Sequence, residues 1–547
     1  MPPRPASRKP DRSERPAKER VAWLSRASRL EVSFVLQIIC LYCLAHWALR
    51  VLIAPVATLE EAEQILLSQS LQGGYASDQP PLTAWLISVT SSWWGRTAEA
   101  AVALKYAFLF IALSFYYLAA RIIIVRPGAA AAAAGALTLT YGLGWGVHED
   151  MLGLAALTAC LSLTLHALAR VLTWRRQGDW IYLGLVTGIG LLAHPLYAIL
   201  PVACIASVLS VAFFRQGISP INFVLAVVTT GAVASPFLIW LAAQSGAGQF
   251  GDDLAMTIPS SLILEAFPAS LGAEDLRSWW ETRLVSLSSL GRAALSFSLP
   301  FSLLWSSLFW PLWAPVLYPV FARRSTDEEA HDVAWRSVLG RALVLSGLFF
   351  LLAVFGGVSS FKTSWTAPAL FLLPMWLFVH VKRAGEFPIP MRGFAAVLIL
   401  IAIGVFAGRL AERPLEIRTC PDEKCRPYAP VAAWAMQLRE VGFEGGTLVG
   451  SDIHLMGNLR AELPEARVLD AGAPSGALPP ATSQGACLVV WRHSGTLPDD
   501  LAAFLTETLE VRIDDPAPDG AIVRTLLESS RMASLYYKFV SPSPACR

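Results

Sequence analysis

The chain has 547 residues, a formal net charge of +2 and only 15% charged residues, with a mean hydropathy of +0.51. That composition excludes a soluble globule of this length and points to a polytopic membrane protein. The near-neutral charge gives no reason to expect a nucleic-acid partner.

The first 29 residues are rich in Arg, Lys and Pro and read as a disordered cytosolic basic arm. They do not read as a cleavable signal, because no small-residue cleavage site follows the first apolar run. From 30 to 410 the sequence reads as a transmembrane domain. Apolar runs at 33–56, 99–123, 128–147, 151–172, 179–194, 196–214, 221–243, 298–322, 338–357, 363–381 and 393–410 give about eleven crossings. The fifth and sixth runs are short and meet at His194-Pro195, which reads either as a broken pair or as one kinked re-entrant element. Basic loops at Arg121–Arg126, Arg170–Arg176, Arg215, Arg323–Arg341 and Lys382–Arg392 alternate with the basic arm on one side. The positive-inside bias makes that side cytoplasmic.

Two external loops are long, 57–98 and 244–297. The first carries a helical pattern (Ala62, Ile65, Leu66, Gln69), then Gly73-Gly74 and Asp78-Gln79-Pro80-Pro81. A second short helical run follows and ends at Trp93-Trp94-Gly95, and it suits a helix lying in the interface. The second loop holds Trp279-Trp280 and Arg283 and reads as another interfacial element. Residues 411–547 alternate strand-like runs (Thr447-Leu-Val-Gly, Arg467-Val-Leu, Cys487–Trp491) with helical ones (Met456–Leu463, Leu501–Leu509). They read as a small extracytoplasmic α/β domain. The expected fold class is therefore an α-helical polytopic membrane protein with a C-terminal soluble α/β domain.

Of eight cysteines, Cys40, Cys43, Cys160 and Cys204 lie in apolar runs and read as buried thiols. Cys420, Cys425, Cys487 and Cys546 lie in the tail, where disulfides are allowed, with Cys420–Cys425 the favoured pair and a zinc site the alternative.

Ionisable groups concentrate on the external side. Glu60-Glu61 follows the first span and can hold a general base or a metal, or simply open a solvated helix. Asp78 can serve chemistry or cap the helix after the prolines. His148-Glu149-Asp150 sits at an external turn, where three ionisable side chains must be wet, paired or used. Lys105, within the first turns of the second span, is a functional-site candidate for the same reason. Lys362 can grip a lipid phosphate or anchor its helix by snorkelling, and His194 can bind a ligand or satisfy a carbonyl freed by Pro195. Acids and cations from distant segments thus share one membrane face, as a reaction joining a lipid phosphate to a polar acceptor requires.

These segments resemble the protein O-mannosyltransferase and aminoarabinose transferase family of C-type glycosyltransferases, closest to its bacterial members. The resemblance covers roughly 45–410. Glu60-Glu61-Ala62 stands where that family usually has Asp-Glu-Ala, and Asp78-Gln79-Pro80-Pro81-Leu82 is similar to its Asp-His-Pro-Pro-Leu. Phe361-Lys362-Thr363-Ser364-Trp365 through Pro368 is similar to a late Lys-x-Arg-Trp…Pro motif, and Gly457-Asn458-Leu459-Arg460 also looks like a family segment. The resemblance implies a bacterial inner-membrane enzyme that moves a sugar from a polyprenyl-phosphate carrier, with inversion, to a periplasmic hydroxyl of a glycolipid, glycan or protein. It implies Glu60 as base with Glu61 beside it. Lys105, Lys362 and His194 would lie on the donor phosphate, and Asp78, Asp150, Glu149 and His148 would position the acceptor or a metal. No required cofactor is expected, with room left for a divalent cation. Three departures stand out: Glu60 for Asp, Ser364 for Arg and His194 for Lys. Two other readings are a non-catalytic homologue that binds lipid-linked sugars and a transporter or flippase for them. The latter would place its charges near mid-bilayer, often in inverted repeats, and neither feature is evident.

Overall fold

The computed structural model describes residues 27–54, 56–76, 79–95, 97–124, 126–246, 273–298, 330–358, 360–380, 391–419, 426–473, 478–481, 485–492, 495–513, 515–526 and 531–547. Among them, six helices are long and apolar enough to cross a membrane. They lie within α1 (Ala27–Ile53), α4 (Thr97–Ile123), α6 (Leu152–Trp174), α9 (Pro220–Gly246), α11 (Ala330–Phe355) and α12 (Met391–Thr419) once the intervening elements are counted. Those are α2 (Leu59–Leu67), α3 (Leu82–Trp94), α5 (Pro127–Leu137), α7 (Gln177–Ala193), α8 (Ile199–Ser210) and α10 (Ala273–Ser298).

Two expected runs differ in detail, and the 298–322 run lies outside the described residues but for its first. The 128–147 run divides into α5 and a π-helical turn, Gly142–Gly146, that runs into Val147–Glu149. Gly144 makes that turn possible: a Cβ there would stand 2.0 Å from the Thr138 carbonyl oxygen. The 363–381 run is broken into the turns Thr363–Thr366, Ala367–Leu370 and Leu373–Phe378, with Pro368 and Pro374 opening the second and third. Residues 179–214 form α7 and α8 joined by a 3₁₀ turn, Pro195–Ala198, rather than one continuous kinked element.

The apolar interior of the bundle is built on α4 and α6. Tyr116, Leu109, Ala155, Leu157 and Leu161 are all fully buried. The long external loop folds as its pattern implies. Thr58 and Glu61 form a reciprocal capping box that starts α2. Pro81 precedes α3, and Gly95, at φ 71°, ends it in the left-handed region. The loop at 244–297 contributes α10, longer than an interfacial turn, and Ser289 Oγ accepts the Phe361 N–H at 3.0 Å. That bond fastens the segment carrying Lys362.

The tail is an α/β layer. It comprises α13 (Val431–Glu440), β1 (Gly446–Gly450), α14 (Ile453–Glu462), β2 (Arg467–Asp470), β3 (Ala486–Trp491), α15 (Asp499–Glu507), β4 (Gly520–Thr525) and β5 (Met532–Val540). Strand order is β2-β1-β3-β5-β4. β1 runs parallel to β2 and β3, and β5 is antiparallel to β3 and β4. A disulfide joins Cys487 in β3 to Cys546 near the end of the chain. The favoured Cys420–Cys425 pair lies outside the described residues. Val56 and Leu66, which flank or belong to α2, pack into this domain's own core with Leu455, Met456 and Leu459. The tail is therefore seated on the first external loop.

Candidate active site

Successive residues of an α-helix point about 100° apart, so Glu60 and Glu61 cannot face the same way. Glu61 turns into the bundle and has no exposed surface. Its Oε1 lies 2.6 Å from Lys105 Nζ and its Oε2 2.9 Å from an Arg50 guanidinium nitrogen. Oε2 also accepts the Thr58 N–H at 2.9 Å. Burial alone would push this carboxyl up, but Lys105 and Arg50 outweigh it and hold the group down at about 2. Arg50 is itself buried, donating to the Val56 carbonyl at 3.0 Å and to that of Ala54.

Glu60 turns the other way and is half-buried. Its Oε2 accepts the Gly153 N–H at 3.0 Å. Its own N–H points at Asp150, 3.3 Å from Oδ1, and Thr58 Oγ1 donates to the same oxygen at 2.5 Å. Burial and then the Asp150 charge raise Glu60 to about 7, against the Gly153 bond and the charges of Lys105 and Lys362. Asp150 is likewise raised, by burial first, although the Thr58 hydroxyl works against it. Burial thus raises both carboxyl groups, Glu60 to about 7. Backbone geometry holds the second member. Asp150 follows the π-helical turn, and Met151, at φ 53°, takes the left-handed conformation before α6 begins.

Lys362 is exposed, yet its charge reaches both Glu60 and His194. A Cβ on Gly153 would lie 3.6 Å from Glu60 Oε2 and 3.9 Å from His194 Cδ2, so those two side chains border the same backbone. Glu60, Asp150, His194 and Lys362 therefore meet at one end of the bundle.

Other candidates stand elsewhere. Lys105, expected on the donor phosphate, is wholly buried against Glu61, and its ammonium reaches Glu60 only through space. His148 faces away from Glu60. Its Nε2 lies 2.7 Å from the Tyr42 hydroxyl and its Nδ1 3.3 Å from that of Tyr106, with the ring stacked on His46 at 3.8 Å. It braces the turn that carries Asp150, and among the described residues its hydrogen-bond and ring partners are Tyr42, Tyr106 and His46 rather than Glu60 or Asp150. Glu149 is exposed, its nearest partner being the Tyr141 hydroxyl at 3.4 Å. His194 Nδ1 accepts the Leu196 N–H at 3.2 Å, so it caps the turn after it rather than serving a carbonyl. Asp78 lies outside the described residues. Its neighbour Gln79 accepts from Gln64 at 2.9 Å and donates to Glu63 at 3.0 Å, which ties the Pro-Pro segment to α2. Among the described residues no group of three or more His, Cys, Asp or Glu side chains is placed to hold a metal ion.

Sequence reasoning passed over Arg50, Thr58 and Gly153. Arg50 had the same signal as Lys105, a cation within a span's outer turns. Thr58 is three residues before Glu61, the capping-box spacing. Gly153 contributes only a backbone N–H and left no sequence signal.

The site thus joins a bundle of long apolar helices, an acidic pair on the loop after α1 and a small α/β domain seated on that loop. The family profile for dolichyl-phosphate-mannose-protein mannosyltransferase matches residues 78–240. The lipopolysaccharide core galacturonosyltransferase RgtB of Rhizobium johnstonii is 27% identical over 91% of this chain and 95% of its own. RgtA of the same organism, also a lipopolysaccharide core galacturonosyltransferase, is 26% identical over 83% and 86%. The crystal structure of ArnT from Cupriavidus metallidurans bound to undecaprenyl phosphate shares the fold, with a TM-score of 0.56 at 12% identity over 91% of this chain and 97% of that one. The apo form gives 0.55 at 13%, over 94% and 98%. The chain is thus similar in sequence to lipopolysaccharide core glycosyltransferases and shares its fold with ArnT.

Proposed function

We propose that this glycosyltransferase moves a sugar from a polyprenyl-phosphate carrier to a hydroxyl of the lipopolysaccharide core, with inversion at the anomeric carbon and Glu60 as base. The observation that carries the reading is Glu60 itself, half-buried, raised to about 7 and set among Asp150, His194 and Lys362. The RgtB and RgtA likeness supports the acceptor class and makes a galacturonosyl unit the first donor to try. The tail's disulfide suits the periplasm. The basic loops support about eleven crossings of the inner membrane with a cytoplasmic N-terminus.

In the displacement, the acceptor oxygen attacks the anomeric carbon as its proton passes to Glu60. The bond from that carbon to the phosphate oxygen breaks on the opposite face, and its electron pair leaves with the polyprenyl phosphate. Lys362, exposed within charge range of Glu60, offsets the charge gained by that phosphate. Glu61, Lys105 and Arg50 fix α2 in place. Asp150 keeps the Glu60 proton affinity near neutral pH.

The test is Glu60→Gln in the purified full chain, assayed with polyprenyl-phosphate galacturonic acid and a core acceptor. Transfer should vanish while the donor still binds. Turnover that survives the substitution removes Glu60 from this role.

A further inference from the structure

We propose that the C-terminal domain is a positioning element of the transfer reaction, and that Asn458 holds α2, and so Glu60, in place. The inference rests on the reading of Glu60 as base. Asn458 lies in α14 and is almost fully buried. Its Oδ1 accepts the Ala57 N–H at 2.8 Å, and its Nδ2 donates to the Ala57 carbonyl at 3.1 Å and to that of His454 at 2.8 Å. The side chain thus pairs with the Ala57 backbone as a neighbouring strand would, across 401 residues of sequence. Ala57 directly precedes Thr58, whose hydroxyl donates to Asp150.

A second amide grips the far end of the same helix from the opposite side. Gln69 donates to the Val468 carbonyl and accepts the Val468 N–H, both at 2.9 Å. Val468 lies on β2, the edge of the sheet, so Gln69 also satisfies backbone groups that an edge leaves open. Between the clamps, Gly457 lies directly against the Ala62 backbone. A buried amide that loses its partner leaves the Ala57 N–H and carbonyl unsatisfied, so removing Asn458 releases α2 at the end nearest Glu60.

Among the described residues, the titratable and charged groups facing Glu60 are Asp150 before α6, Lys105 from α4, Lys362 and His194, with Glu61 and Arg50 behind. None belongs to the C-terminal domain, so a shift of the Glu60 titration on mutating Asn458 must come through movement of α2.

The experiment compares full-length Asn458→Ala with the native chain by amide hydrogen exchange and by the pH dependence of transfer. Exchange at 57–67 should quicken at least tenfold. The acid limb of the rate profile should move from about 7 toward the ordinary carboxylate value of roughly 4.3, with kcat falling more than KM changes. A mere loss of folded enzyme lowers the rate at every pH and leaves the limb in place. Unchanged exchange, or faster exchange with an unmoved limb, overturns the proposal. If Asn458→Ala does not fold, Gln69→Ala carries the same test from the helix's other end, with the same two results deciding it. A native profile without a limb near 7, or an active Glu60→Gln, would instead retire the base assignment. In that case exchange at 57–67 still decides the clamp.

Discussion

Replacing Gly457 with Ala sets two effects of opposite sign against each other. Gly457 lies within α14, where Ala is intrinsically favoured by about 1 kcal/mol. Its added Cβ, however, would stand 2.0 Å from the Ala62 oxygen, 2.5 Å from its carbonyl carbon and 2.7 Å from its Cα. Ordinary contact needs roughly 3.5 Å, so the helices must part by about 1.5 Å, and all three atoms are backbone with no rotamer to yield. Overpacking of this kind costs about 1–3 kcal/mol, enough to cancel the gain in helix propensity. The outcome is a firmer α14 and a displaced α2. Because α2 carries Glu60, a misplacement near 1 Å should cost on the order of 10²-fold in kcat, or about 2.7 kcal/mol of barrier. The assay is single-turnover transfer in detergent, alongside thermal unfolding to show that folded protein is present. A Gly457→Ala enzyme with native kcat would refute the reasoning, since it would mean that α2 can shift without consequence or that the contact is not made.

Other expectations follow from the charges. Glu60 works as a base only when ionised, so transfer should climb about tenfold per pH unit below 7 and level off above it. Lys362 favours the ionised form, so Lys362→Met should move that midpoint upward and raise the KM for donor, and a downward move would contradict the geometry. Lys105→Met leaves Glu61 buried with Arg50 alone. Breaking such a pair costs about 3 kcal/mol, visible as a lower melting temperature, and adding Glu61→Gln should recover part of it. Replacing both Cys487 and Cys546 with Ala opens a loop spanning 59 residues. The chain-entropy treatment gives about 4 kcal/mol for that cross-link, to be read as faster exchange in β3 and β5.

The long spans were legible because twenty-odd apolar residues with few charges admit little else. The interruptions were not. The π-helical turn at Gly142–Gly146 and the broken segment after Thr363 keep the apolar composition of a span while changing its path. In the tail, β1, β2 and β3 take in the runs at Thr447, Arg467 and Cys487, all buried on both faces. β4 mixes exposed and half-buried residues around buried Ile522, β5 is mostly half-buried around Leu535, and both escaped a reading keyed to continuous apolar runs. Cys487–Cys546 could not be paired without knowing that the end of the chain returns to β3. At the site, the sequence placed acids and cations on one membrane face. It could not tell which of them come together at one end of the bundle, as Glu60, Asp150, His194 and Lys362 do. Nor could it tell which cancel one another in the interior, as Glu61 and Lys105 do.

That last distinction decides which carboxylate of the acidic pair does the chemistry. Two adjacent glutamates are equivalent on paper, and the helix separates them by turning one toward Arg50 and Lys105 and the other toward Asp150. A carboxylate held at about 2 binds a proton roughly 10⁵-fold less tightly than one at about 7. Glu61 would therefore be a poor acceptor for a hydroxyl proton even if an acceptor sugar reached it, and reaching it would require parting two buried ion pairs. Glu60 needs neither. Its extra methylene relative to aspartate also has a use here, since the side chain must reach from the first turn of α2 to the Gly153 N–H on α6. Glu60→Asp should keep the negative charge but lose that bond. If reach is what matters, its activity should fall well below that of the native enzyme while the donor still binds. An aspartate as active as glutamate at this position would mean that the Gly153 contact does not set the base.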